Sequence, residues 1–110
     1  MGHNVVGVCH TGTELIDQVK VLLPHLILTD ISLKGSLSGI DAIKEIKSWR
    51  YIPFIYISGL KDENTFQQAM ETNPCAFISK PYHYLELKKQ IEECIPIENK
   101  KSEKEKSLEM

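Results

Sequence analysis

Short apolar runs alternate along this chain with segments whose apolar residues recur every three or four positions. Asn4 to Cys9 (NVVGVC) is compact and β-branched, which suits a strand. Thr11-Gly12-Thr13 offers hydroxyls that can cap a helix, in which Leu15, Val19, Leu22 and Leu23 share a face before Pro24 stops it. His25 to Thr29 (HLILT) is a continuous apolar run of strand length, ending on Asp30. A loop with Gly35 and Ser36 leads to Ser38, a helix cap, and Ile40, Ile43 and Ile46 follow at helical spacing. Pro53 resets the chain before a third strand, Phe54 to Ser58 (FIYIS). Asp62 opens a third helix with Phe66, Ala69 and Met70 directed inward, and Asn73-Pro74 ends it. Cys75 to Ser79 (CAFIS) reads as a fourth strand, followed by Lys80-Pro81. The last helix carries Leu87, Ile91, Cys94 and Ile95 on one side and stops near Pro96.

The predicted order is therefore β-α-β-α-β-α-β-α. Right-handed crossovers turn such alternation into a doubly wound parallel sheet with helices on both faces. Runs without polar alternation, such as LIL and FIYI, fit strands covered on both sides. Residues 1–96 form one domain on this reading. Residues 97–110 (IENKKSEKEKSLEM) hold four Lys and four Glu, and read as a charged tail, either a solvated helical extension or a disordered linker.

Composition narrows the function. A net charge of −2 leaves no basic excess for nucleic acid, and the apolar stretches are too short to span a membrane. No cationic start with an apolar core follows the first residue, which favours a cytoplasmic location. Cys9, Cys75 and Cys94 are widely spaced and lack a Cys-x-x-Cys pair, which suits free thiols in a reducing compartment. The histidines show no metal-ligand spacing, and the glycines form no phosphate loop.

In a parallel α/β sheet, ligands bind beyond the carboxyl ends of the strands. Those ends carry Asp30, Ser58 and Lys80, from three successive strands. A carboxylate there can attack a phosphoryl group, a hydroxyl can donate to its oxygens and an ammonium can offset its charge.

These motifs resemble a known family. Leu26-Ile27-Leu28-Thr29-Asp30-Ile31-Ser32-Leu33, Gly39-Ile40-Asp41-Ala42, Ile57-Ser58-Gly59 and Phe77-Ile78-Ser79-Lys80-Pro81, in that order, look like the receiver domain of response regulators in two-component signalling. The resemblance runs from about Gly2 to Ile95. It implies a flavodoxin-like fold, here truncated to about four strands and four helices. It implies that Asp30 is the phosphoacceptor, that Ser58 and Lys80 contact the phosphoryl group, and that Ser58 and Phe77 are the switch residues. It further implies a cis bond between Lys80 and Pro81. The main-chain carbonyl of Ser32 would join Asp30 as a magnesium ligand, and a sensor histidine kinase would be the phosphoryl donor.

The departure from the family is at the start. Receivers open with a strand ending in an acidic pair that helps hold Mg2+, and this chain begins where their second strand begins. Asp30 and Ser32 make an incomplete metal site, so Mg2+ binding is expected to be weak or absent. One expectation is that Met1 is an internal residue of a longer parent protein. The missing strand lies between Asn4–Cys9 and Leu26–Asp30 in the family's sheet, and its loss removes roughly 5–10 kcal/mol of burial. The first strand then either slides across the gap, or two copies close it as a homodimer with exchanged strands, the favoured outcome. The functional reading is a phosphoacceptor module and not an enzyme. The alternative is a degenerate, phosphate-independent interaction module; a small hydrolase or phosphatase lacks any nucleophile elbow.

Overall fold

The computed structural model describes residues 4–32, 37–59, 62–95 and 106–109. The loop expected at Gly35 and Ser36, the stop at Pro96 and residues 97–105 lie outside the described residues. Its elements are β1 (Asn4–Val8), α1 (Gly12–Leu22), β2 (Leu26–Asp30), α2 (Gly39–Lys47), β3 (Phe54–Ser58), α3 (Glu63–Glu71), β4 (Ala76–Ser79), α4 (Tyr84–Cys94) and β5 (Lys106–Glu109). The first eight keep the order predicted above.

Each helix starts on a side chain that satisfies its free backbone N–H groups. The Thr11 hydroxyl accepts from the Glu14 N–H at 3.1 Å. Ser38 and Asp41 cap α2 reciprocally, each side chain accepting from the other's backbone N–H. The Asp62 carboxylate accepts from the N–H groups of Asn64 and Thr65. On α4 the cap is His83, whose Nδ1 accepts from the Leu85 N–H at 3.1 Å.

The ends differ from the simple periodic reading. Leu23 closes α1 in the left-handed conformation, with φ 46°, and its N–H donates to the Val19 carbonyl at 2.9 Å. That turn swings Leu23 off the buried face, leaving it 42% exposed, with Leu22 only half-buried. On α3 only Ala69 is buried, while Phe66 and Met70 are exposed. At 100° per residue, Phe66 and Met70 flank Ala69 on either side of the inner stripe, so a small residue takes the contact line.

All pairings in the sheet are parallel. The β2 and β3 strands are its buried centre: Ile27 to Asp30 pair with Phe54 to Ile57. One face of the sheet packs Ile27, Phe54 and Tyr56 against Leu15 and Val19 of α1, Ile43 and Ile46 of α2, and Ala69 of α3. The other packs Leu26, Leu28, Ile55, Ile57 and Ile78 against Leu87 and Ile91 of α4 and the following Ile95. Each fully buried side chain of this size contributes about 1.5–3 kcal/mol.

The strand order is β1-β5-β2-β3-β4. The gap expected between the first two strands is thus filled by the chain's own residues 106–109, and β1 does not pair with β2. For these four residues the expectation of a solvated helix or disordered linker does not hold. The reason lies in register. The backbone of Leu108 pairs with Ile27, and those of Ser107 and Glu109 with Leu26 and Leu28, while β1 takes the other edge. A strand between two neighbours is held by main-chain bonds on both sides, which charged composition does not forbid.

Proline at position 108 tests this placement. An inner strand cannot spare an N–H, so Leu108→Pro is expected to lower stability by about 2–3 kcal/mol. The measurement is the urea midpoint, together with amide exchange at Asn4–Val8, which should lose protection. An unchanged midpoint would place the segment outside the sheet.

Candidate functional site

Three strands deliver the polar residues of the sheet's carboxyl rim. Asp30 is the last residue of β2, Ser58 the last of β3, and Lys80 follows the last residue of β4. The register sets them side by side, with Asp30 paired to Ile57 and Ser58 to Ser79. The Lys80 N–H donates to the Ser58 carbonyl at 2.8 Å, which carries the ladder one residue past β4. The Lys80–Pro81 peptide bond is cis.

One side chain and one backbone N–H hold the Asp30 carboxylate. The Lys80 ammonium donates to Asp30 Oδ2 as an ion pair. The Ser32 backbone N–H donates to Oδ1 at 3.0 Å, so both carboxylate oxygens are engaged. The Thr29 hydroxyl donates to the Asp30 carbonyl at 2.9 Å and fixes the backbone. The Asp30 side chain is 23% exposed and that of Lys80 46%, so the pair faces solvent at the rim. Ser58 is buried beside it. Gly39, the first residue of α2, passes so close that an added Cβ would lie 2.2 Å from the Asp30 carbonyl oxygen and 3.0 Å from Thr29 Oγ1. Glycine is required there by close approach.

Phe77 is half-buried against the three-helix side of the sheet. Its ring meets Tyr56 edge-on at 6.3 Å and Phe66 at 5.1 Å. Tyr56 continues the contact inward to Phe54 at 5.4 Å. This aromatic ladder links the exposed ring of Phe66, which helical period predicts to face inward, to the core. The Tyr56 hydroxyl shares a buried 2.8 Å hydrogen bond with Thr72, which also donates to the Ala69 carbonyl at 2.6 Å. The sequence signal for this bond was a tyrosine in the middle of a strand covered on both faces, where a hydroxyl needs a partner.

A magnesium site is not formed by the described side chains. Among the described residues no three His, Cys, Asp or Glu side chains come together. The carboxylates of Asp41 and Asp62 are committed to helix caps. The backbone of Glu109 lies in register with Leu28, two residues before Asp30 on the adjoining strand. A hard divalent cation needs several oxygen ligands, and one carboxylate already paired with an ammonium does not fit it.

Comparison with known proteins bears on the family of the chain. The family model of the response regulator receiver domain matches residues 1–92. The chain is 34% identical over 83 residues to the phyllosphere-induced regulator PhyR of Methylorubrum extorquens, covering 74% of this chain and 30% of that protein. It is 26% identical over 91 residues to the transcriptional regulatory protein PdtaR of Mycobacterium tuberculosis, covering 83% of this chain and 44% of that one. It thus spans less than half the length of these relatives. The crystal structure of the signal receiver domain of a modulated diguanylate cyclase from Desulfovibrio desulfuricans superposes with a TM-score of 0.78 at 33% identity, covering 86% of this chain and 75% of that one.

Two outcomes follow from this geometry. Gly39→Ala should push α2 from the end of β2 and cost about 1–3 kcal/mol, seen as a lower thermal midpoint. Burial pushes the Tyr56 hydroxyl from 10.0 up to about 12, with the Thr72 hydrogen bond opposing the rise. A pKa raised by folding means stability present below about pH 10 and lost as pH climbs towards about 12. Tyr56→Phe should cost about 1 kcal/mol near neutrality and flatten the alkaline fall, measured by urea unfolding across that range.

Proposed function

Since the chain belongs to the response regulator receiver family, we propose that it is the phosphoacceptor module of a two-component phosphorelay, with Asp30 phosphorylated by a sensor histidine kinase. The observation that carries this reading is the Lys80 ammonium held on the Asp30 carboxylate at the rim of the sheet. The Asp30 carboxylate attacks the phosphorus of the donor's phosphohistidine. The phosphorus–nitrogen bond breaks, and an acyl phosphate forms on Asp30. Lys80 then exchanges its carboxylate partner for a phosphoryl oxygen, keeping charge balanced. Ser58, one register position beyond Ile57, donates its hydroxyl to another phosphoryl oxygen as the hydroxyl switch. Phe77 serves as the aromatic switch, because its ring already spans Tyr56 and Phe66 between the core and the surface. The cis Pro81 follows Lys80 at the turn into α4.

Receiver domains generally bind Mg2+, which supplies charge neutralisation at the phosphoryl group. The described carboxylates here do not assemble that site, and phosphotransfer is correspondingly slow in this reading. The chain accepts a phosphoryl group and is not assigned an enzymatic turnover of its own. No helix among the described residues is long and apolar enough to cross a membrane. We place the module in the cytoplasm with its kinase partner and assign it no nucleic-acid or membrane contact. The inner gap that motivated a homodimer is closed by β5 within one chain. A second reading, a phosphate-independent interaction module, is favoured by the lack, among the described residues, of a carboxylate cluster that could hold a metal ion.

Acetyl phosphate with magnesium separates the two readings. Mass spectrometry should find one phosphoryl group on the peptide holding Asp30, and Asp30→Asn should abolish it. Lys80→Ala should slow labelling by about 10²-fold, the effect of removing one charge-stabilising donor. No labelling of the wild-type chain would select the interaction module, and labelling that survives Asp30→Asn would move the phosphoacceptor to Asp41 or Asp62.

A further inference from the structure

Cys75, the residue before β4, is bonded through its sulfur to Cys94, the last residue of α4. The expectation of free thiols thus holds only for Cys9, which is buried. The pairing has a geometric origin. An 11-residue helix rises about 16 Å and a four-residue strand about 13 Å, so α4, running back along β4, returns its last turn to the strand's start.

The two ends of the bond rest on unequal supports. The Cys75 N–H donates to the Phe54 carbonyl at 2.8 Å, which fixes this residue to the sheet without the sulfur. The last turn of α4 lacks any basic residue and contains Glu92 and Glu93, negative charges at the negative end of the helix dipole. Its apolar hold at that end is Ile91 and Ile95, with Cys94 itself only half-buried. The bond therefore clamps the end of α4 that its own sequence disfavours. Cys75 is exposed and Cys94 half-buried, which sets the bond at the protein surface, where a dissolved thiolate can reach it.

We propose that Cys75 and Cys94 are a thiol–disulfide exchange site for small-molecule thiols and disulfides of the glutathione class, and that the state of this pair sets whether the last turn of α4 is locked to the sheet. In the oxidising direction the Cys75 thiolate attacks one sulfur of the small disulfide. A mixed disulfide forms and one small thiolate leaves. The Cys94 thiolate then attacks the Cys75 sulfur, closing the protein bond and releasing the second small thiolate. Two electrons pass from the protein to the small disulfide, and the two thiol protons go to solvent or to the released thiolates. Reduction is the reverse, with two small thiols as the electron source. Burial, then the Glu14 charge, pushes the Cys9 thiol up to about 11, which keeps the third cysteine out of the exchange. The exchange is independent of the phosphoacceptor reading.

The full chain is equilibrated in millimolar glutathione buffers of graded reduced-to-oxidised ratio, quenched in acid and alkylated. Mass spectrometry then reads Cys75 and Cys94. The expected result is a complete, reversible passage between dithiol and disulfide across the series, with Cys9 unmodified under native conditions. Amide exchange in the last turn of α4 should be about tenfold faster in the dithiol form, with the β2–β3 ladder unchanged. The Cys75→Ser, Cys94→Ser double variant should show the faster exchange at every ratio. A bond that persists in reduced glutathione while the protein stays folded would make it a permanent cross-link and overturn the proposal. So would a pair that never closes, or α4 exchange that ignores the redox ratio in the native sequence.

Discussion

Ile27, Leu28, Thr29 and Asp30 pair in register with Phe54, Ile55, Tyr56 and Ile57, and both faces of that ladder are covered. The rest of the molecule hangs on this double burial. Residues of odd and even register are pressed between α1, α2 and α3 on one side and α4 on the other, so a one-residue slip would exchange two different cores. The polar end of the ladder is fixed by the same constraint. Asp30 emerges at the rim because the four residues before it are buried, and Ser58 stays in contact with the core at the end of β3.

The ion pair at the rim adds little to stability. Solvent-exposed pairs of this kind contribute little to folding, typically ~0–1 kcal/mol. What the fold supplies is position. The Asp30 backbone is held by Thr29 and crowded by Gly39, and the Lys80 backbone is tied to the end of β3. The carboxylate and ammonium are therefore presented by rigid strand ends, already arranged as a pair.

The carboxyl-terminal half closes the structure twice. Through α4 it covers the face of the sheet that α1, α2 and α3 leave open, and the Cys75–Cys94 bond joins that helix back to the start of β4. Through β5 it supplies the strand between β1 and β2. The β5 contribution is main-chain in character. Its pairings to β1 include a register shift between Val5 and Gly7, and only Leu108 of its four residues is strongly apolar.

The eight alternating elements, their caps at Thr11, Ser38 and Asp62, and the row of Asp30, Ser58 and Lys80 were all legible in the sequence. Apolar period and capping chemistry are local properties, and strand ends in a parallel sheet fall on one rim by topology. The exposure of Phe66, Met70 and Leu23 was not legible, because helical period defines a face but not how wide the neighbour's contact is. The partnership of Cys75 with Cys94 and of Tyr56 with Thr72 depends on how far a helix runs back along its strand, which no short window contains. Lys106–Glu109 gave the clearest contrast. Its charge read as solvent-facing, and only the sheet, with two flanking strands offering free backbone groups on both sides, decided that it is a strand.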